Sequence, residues 1–271
     1  MVSRSHCSMA TIYKNNEQTL ARDYRSTALT LASFVIVLGA WEYAGRLPVS
    51  NAFPPLSTTA VAAWEMTRDG RLPQALAITI VPMVIGVTIS ALMGVMLGLA
   101  TGLDRRVEWL GIPLFLVLQA APLAAIIPML VLAYGVGLAA KVSVVVIMAV
   151  PVIVLNSYKA VRHTPKSLLE MGHSFLGTRR QTIFKIILPA ASPVIFAGLR
   201  LGTAAGFVGA VLAELLISPT GIGDLITYHQ SIAEYPEMYA AIVSVIVLSA
   251  LFLEFLDRME LMLFRPERRA A

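Results

Sequence analysis

The segment Leu168–Pro193, LLEMGHSFLGTRRQTIFKIILPAASP, decides how the chain is read. It is a polar, cation-rich stretch set between long apolar runs, and its punctuation is that of a folded loop. Thr164 before Pro165 has the form of an N-cap followed by proline at the first helical position, and Ser167 with Glu170 adds the spacing of a capping box. A short helix is expected from there to about Phe175. Leu176-Gly177 then permits a turn, because glycine tolerates positive φ. Thr178 with Gln181 repeats the capping-box spacing, Ile183, Phe184, Ile186 and Ile187 supply an apolar side, and Pro189 is expected to stop the second helix. The loop therefore reads as helix, turn, helix. Met171, Phe175 and Leu176 are apolar side chains that need cover, either from a partner's surface or from the underside of the chain's own helices.

The flanking runs say where such a loop sits. Apolar residues make up 57% of the 271 residues and charged residues 14%, a balance a soluble domain does not need. A bilayer core takes roughly 20 consecutive apolar residues as helix. Six runs qualify: Thr27 to Tyr43, Ala77 to Leu103, Trp109 to Tyr134, Leu138 to Tyr158, Ser192 to Ile217 and Tyr239 to Phe255. Pro113, Pro122 and Pro128 interrupt the third, which is expected to kink. We therefore expect an all-α membrane protein of about six transmembrane helices. Residues 1–26 form a polar tail, 27–258 a single membrane domain carrying the 160–190 loop, and 259–271 a second tail. The first run reads as a span rather than a cleaved leader, because its polar preamble is long and Glu42 and Tyr43 follow it.

Lys and Arg set the expected orientation, since cytoplasmic loops collect them. Of 21 cations, sixteen fall on one side of these spans: Arg4, Lys14, Arg22, Arg25, Arg105, Arg106, Lys159, Arg162, Lys166, Arg179, Arg180, Lys185, Arg258, Arg265, Arg268 and Arg269. Arg46, Arg68, Arg71 and Lys141 lie on the other, and Arg200 is inside a span. Both termini are thus expected in the cytoplasm. The basic balance is topological and excludes a nucleic-acid role, there being no basic patch interleaved with aromatics. On the outer side, Pro54-Pro55, Ser57 and the spacing Ala60, Val61, Trp64 suggest a short surface helix ending near Gly70, and Ser218 to Glu237 reads as an exposed, turn-rich loop with acids and no Lys or Arg.

The 160–190 loop resembles the coupling loop in the membrane permease subunit of a binding-protein-dependent ATP-binding-cassette importer. That family's pattern is E-A-A, three residues, G, nine residues, I, one residue, L-P; Glu170 opens it and Ile186, Leu188 and Pro189 close it in register. The alanines are replaced by Met171 and Gly172, and the glycine position by Leu176, with glycine one residue later at Gly177, which leaves open a turn shifted by one residue. Phe53-Pro54-Pro55, Pro122 to Pro128, Tyr134, Gly135 and Gly137 leading to Lys141, and Glu214 followed by Gly221-Ile222-Gly223 extend the likeness to the nitrate, sulfonate, taurine and bicarbonate group.

The resemblance implies a type I importer permease fold in a bacterial inner membrane. It implies ATPase contact by Glu170, Met171, Gly172, Phe175, Leu176, Gly177 and Pro189, two ATP-binding subunits carrying ATP-Mg, an extracytoplasmic solute-binding protein, and a permease homodimer in lipid. The substrate it implies is a small anion such as a sulfonate, taurine or nitrate, with a thiamine precursor or riboflavin as the alternative. No cofactor, metal or catalytic residue is expected in the chain. No glycine is followed by Lys, so the phosphate-cradling G-x-x-x-x-G-K loop is missing and ATP hydrolysis falls to another chain. The four histidines, His6, His163, His173 and His229, lie in tails and loops and read as solvated.

In the fifth run, Gly198, Gly202, Gly206 and Gly209 recur at helical spacing, as do Gly94, Gly98 and Gly102 in the second; both stripes read as helix-packing faces. Arg200, Thr203, Phe207 and Glu214 project away from the first stripe. Two roles fit them. Either they line a translocation path, Arg200 toward the cytoplasm and Glu214 toward the outer gate, or Arg200 snorkels or braces the loop while Glu214 caps an outer loop. The competing classes are an ion-coupled secondary transporter, which would call for ionisable pairs at mid-membrane, and a channel, which leaves the capped loop without a purpose.

Overall fold

A computed structural model describes residues 29–47, 52–217 and 220–264, all helix and connection. The chain divides into two compact units, 1–62 and 63–271. The tails expected at 1–26 and 265–271 lie outside the described residues.

The first unit holds helix α1, residues 29–46, and the start of α2, Leu56–Arg68. Leu31, Phe34, Val35, Ile36 and Val37 of α1 are all exposed, which is what a helix presenting apolar side chains to lipid looks like. The Pro54-Pro55 turn is fastened to the end of α1. The Trp41 indole N–H donates to the Pro54 carbonyl at 3.2 Å, and the Glu42 carboxylate accepts the Ser57 amide at 2.9 Å, capping α2 from a neighbouring helix. The surface helix expected before Gly70 is α2, and Gly70 takes φ 80° after it.

The second unit is built on three long helices, α3 (Arg71–Leu103), α6 (Leu138–Arg162) and α9 (Leu188–Leu216). Between α3 and α6, α4 (Arg105–Ala120) and α5 (Leu123–Tyr134) form a pair bent by 104°. Pro122 sits at that break, whereas Pro113 and Pro128 are absorbed within the helices. After α6 come α7 (Lys166–Ser174), α8 (Arg179–Thr182), a π-helical turn over Ile183–Ile187, and α9; α10 (Ile222–Ser231) and α11 (Tyr235–Phe264) close the chain.

Among the described residues four helices are long and apolar enough to cross a membrane: Arg71–Leu103, Leu138–Arg162, Arg179–Leu216 and Tyr235–Glu260. The bent pair makes five if it is one span. The remaining expected run, Thr27 to Tyr43, is α1, whose described part carries Glu42 and Arg46 at its end and is not one of the four.

Helix α6 is the axis of the unit, and the two glycine stripes explain why. A Cβ at Gly94 would lie 2.7 Å from the Ile153 side chain, one at Gly102 2.7 Å from Val161, and one at Gly198 2.5 Å from Asn156. Both stripes thus admit α6 closer than any side chain would permit, so α3 and α9 grip it from two sides. The gap between them is filled by Met83, Val87, Val145, Phe207 and Ala210, with Leu248 and Phe252 of α11 packed against that cluster. Phe207 meets Phe252 edge-on at 5.8 Å between ring centroids. Leu92, Met96 and Leu251 remain exposed on the outside of the bundle, the signature of a surface that faces hydrocarbon.

Candidate functional site

The 160–190 loop folds as two helices about a tight turn, with three departures from expectation. Pro165, not Thr164, occupies the N-cap of α7, without a side-chain bond, and Thr164 is buried with its hydroxyl unpartnered among the described residues. The capping box at Thr178 and Gln181 forms, the Thr178 amide reaching Gln181 Oε1 at 2.9 Å and the Gln181 amide reaching Thr178 Oγ1 at 3.4 Å. Pro189, expected to stop the second helix, does not. The helix widens to a π turn over Ile183–Ile187, where the Leu188 amide donates to the Ile183 carbonyl, and continues through Pro189 from Arg179 to Leu216.

The turn itself corrects the register. Gly177 donates its amide to the Gly172 carbonyl at 3.0 Å and Leu176 donates to His173 at 2.9 Å, the paired bonds that close a helix C-terminus around one left-handed residue. That residue is Leu176, at φ 53°. The turn is not shifted toward Gly177: Leu176 keeps the place of the motif's glycine and bears the strain of a left-handed side chain. Gly172 is buried, and a Cβ there would lie 2.6 Å from Ile186 Cδ1, so glycine at this position lets α7 sit down on the π turn. Glu170, Met171 and Phe175 are exposed; Phe175 is 80% and Leu176 92% accessible, and Phe184 in the π turn is exposed as well. The loop's turn and cap are closed by hydrogen bonds, yet Phe175 and Leu176 at its tip are left largely uncovered.

Behind the loop, Tyr158 donates to Glu108 Oε1 at 2.5 Å and Arg162 pairs with the same carboxylate, tying α4 to α6. Further along α9, Arg200 pairs with Asp257 and lies 3.7 Å from Glu260, both on α11. Arg200 makes no bond to the loop; its charge is shared with two carboxylates of α11.

The other three residues of that face are buried. Thr203 and Phe207 are covered within the second unit, Phe207 by the central apolar cluster. Glu214 is fully buried at the opposite end of the bundle from the 160–190 loop. Its Oε2 accepts from Thr79 Oγ1 at 3.0 Å and from the Gly223 amide at 3.1 Å, and Thr79 in turn accepts the Ile222 amide at 3.0 Å. Gly221 has no side chain to cap α10, so α3 and α9 supply the cap. Of the two roles considered for Glu214, capping the 218–237 loop is the one its bonds describe. Lys141, at the start of α6, lies 4.0 Å from Glu214 Oε1 and donates to Thr220. Sequence reasoning missed this pair, although a lone cation opening one apolar run and a lone acid closing another are an evident match.

The 218–237 segment is not simply exposed. It contains α10, with Ile222, Gly223 and His229 buried. His229 is thus not a solvated histidine; its Nδ1 is 2.9 Å from Glu234, which a left-handed Ala233 at φ 61° turns back toward it.

Comparison with known proteins agrees with this architecture. Residues 90–265 match the family model described as binding-protein-dependent transport system inner membrane component. A permease of Bacillus subtilis named for aliphatic sulfonate transport is 28% identical over 82% of this chain and 83% of that protein. The taurine transport system permease TauC of Escherichia coli is 25% identical over 85% of the chain and 86% of its own length, and the riboflavin transport permease RibX of Chloroflexus aurantiacus 30% identical over 57% and 58%. In fold, the chain matches a subunit of the inward-facing MetNI methionine ABC transporter at a TM-score of 0.54 with 21% identity, covering 70% of this chain and 92% of that one. The chain accordingly belongs to the family of inner-membrane permease components of binding-protein-dependent ABC importers, multi-pass membrane subunits that are not themselves enzymes and that work with separate ATPase and binding-protein partners.

Proposed function

We propose that the 160–190 loop is the seat of the ATPase in an importer for small anions, assembled from two copies of this chain and two ATP-binding subunits. The observation that supports it most is the exposed apolar tip, Met171, Phe175 and Leu176, held by a closed turn on one side and a capping box on the other. A loop that is ordered to this degree while leaving Phe175 uncovered is preorganised for a partner. Glu170 flanks the tip, and Gly172, Gly177 and Pro189 shape the platform beneath it. ATP-Mg belongs to the partner subunits, whose closure on ATP draws the two loops together and swings the bundles into the outward-open state.

On this reading both termini and the loop lie in the cytoplasm, following the skew of Lys and Arg. The permeation path forms where the two copies meet. Arg200, Thr203, Phe207 and Glu214 serve it by fixing α9 against α3, α6 and α11. The anion assignment follows the sulfonate and taurine names among the relatives; the riboflavin name keeps a thiamine-precursor or riboflavin-like solute as the second reading. Uptake of radiolabelled taurine, an alkanesulfonate and riboflavin by cells expressing the chain with its partner subunits separates the two. Uptake of either sulfonate, lost in Phe175→Asp, is expected; uptake of riboflavin alone overturns the anion assignment.

A further inference from the structure

The polar node at the α10 end of the bundle contains an alternative that the fold itself does not need. Lys141 is 5% exposed and donates to Thr220, on the short connection into α10. Glu214 Oε1 lies 4.0 Å away, fully buried, with no hydrogen-bond partner among the described residues. The other carboxylate oxygen is saturated by Thr79 and Gly223. A buried carboxyl oxygen left without a partner beside an ammonium that is bonded elsewhere is costly, and shortening 4.0 Å to the roughly 2.8 Å of a charge-assisted bond requires a shift of only about 1.2 Å. The carboxylate is anchored through Oε2 by Thr79 and Gly223, and Gly221 packs so closely on it that a Cβ there would approach Oε1 to 2.5 Å and Thr79 Oγ1 to 2.7 Å. The lysine has to move.

Its present position matters because Lys141 and Thr220 both line a cavity of about 370 Å³, walled otherwise by Ile78, Val81, Pro82 and the Gly137-Leu138 start of α6. The Lys141–Thr220 bond joins the α6 side of that cavity to the α10 side. Transfer of the ammonium to Glu214 would release Thr220 and uncouple the two sides, leaving this end of α10 held by its cap on Thr79 and Glu214 Oε2 alone, so that the cap opens more often.

We propose that Lys141 is a two-position latch: on Thr220 it ties the α6 and α10 sides of this cavity together, and on Glu214 Oε1 it lets the α10 segment swing. The latch deepens the importer reading, because α10 is on the face expected to receive the binding protein, and it gives docking there a direct route to α3, α6 and α9. Lys141, Glu214 and Thr220 are positioning residues in this scheme and need not touch solute.

Hydrogen exchange at the Ile222 and Gly223 amides, measured on the full chain in lipid nanodiscs, tests it. Thr220→Val removes the closed-state acceptor from an exposed residue and is expected to speed exchange there roughly tenfold, the worth of one hydrogen bond to a charged group. Glu214→Gln keeps acceptors for Thr79 and Gly223 but weakens the alternative site for the ammonium, so exchange should slow or stay at the wild-type rate. A merely structural brace predicts the opposite ranking: no effect from Thr220→Val and faster exchange in Glu214→Gln. Either of those results overturns the latch. Should Glu214→Gln fail to fold, Lys141→Met takes its place: exchange as fast as in Thr220→Val is expected, and exchange at the wild-type rate overturns the latch. Because no ATPase or solute is present, failure of the latch leaves the importer reading standing, and failure of ATPase association leaves the latch standing.

Discussion

Replacing Leu176 by glycine should make the chain more stable and the transporter worse. Leu176 holds φ 53°, a conformation that costs a residue with a side chain about 1–2 kcal/mol. Glycine relieves that strain and loses about 0.5–1 kcal/mol through its greater freedom in the unfolded chain, so a net gain of about 0.5–1 kcal/mol is expected. No packing is sacrificed, because the side chain is 92% exposed. On the ATPase, however, burial of that leucine is worth about 1.5–3 kcal/mol, so its loss should raise Kd roughly ten- to hundredfold. Thermal unfolding of the purified chain in detergent reads the first number, and titration of fluorescently labelled ATPase onto nanodisc-embedded chain reads the second. A fall in stability would refute the strain argument; an unchanged Kd would refute the placing of Leu176 in the interface. The two signs are opposite, so a general effect of the substitution cannot imitate both.

Three further outcomes follow from the packing and topology. Gly94→Val puts a side chain where a Cβ alone would already be 2.7 Å from Ile153, and overpacking of this kind should cost about 1–3 kcal/mol, read as a lowered unfolding temperature in detergent. Arg200→Gln leaves Asp257 and Glu260 without their cation; as the guanidinium is over a third exposed, the cost should be only about 1 kcal/mol, and Asp257→Asn in the same chain should return part of it in a double-mutant cycle. Cys7 is the one cysteine in the sequence, so a membrane-impermeant maleimide should label inverted vesicles and spare intact cells if the N-terminus is cytoplasmic; labelling of intact cells reverses the orientation.

The long helices were legible because burial in hydrocarbon demands uninterrupted apolar runs, and the glycine stripes because close helix approach demands small residues every fourth position. The capping box at Thr178 was legible for the same local reason. What escaped was decided by how the helices end and by what other helices place beside them. The left-handed position fell on Leu176 rather than on the more permissive Gly177 because the Gly177–Gly172 and Leu176–His173 bonds fix where α7 closes. Pro189 looked like a helix stop because only the π turn, a property of the continuous helix, accommodates it. The burial of α10 was hidden by a Gly- and Pro-rich sequence whose cap lies on α3 and α9. The partners of Arg200 were readable in principle, since Asp257 and Glu260 are three residues apart and so share a helix face.

Whether the ATPase sits on the 160–190 loop can be read by co-purification. The chain and its ATP-binding subunit would be expressed together and isolated through a tag on the permease, wild type beside Phe175→Asp, a change at an exposed tip residue that leaves the turn's hydrogen bonds in place. The ATPase is expected to accompany the wild type and to be lost from the variant while both permeases unfold at the same temperature. Full retention of the ATPase by Phe175→Asp would contradict that seat.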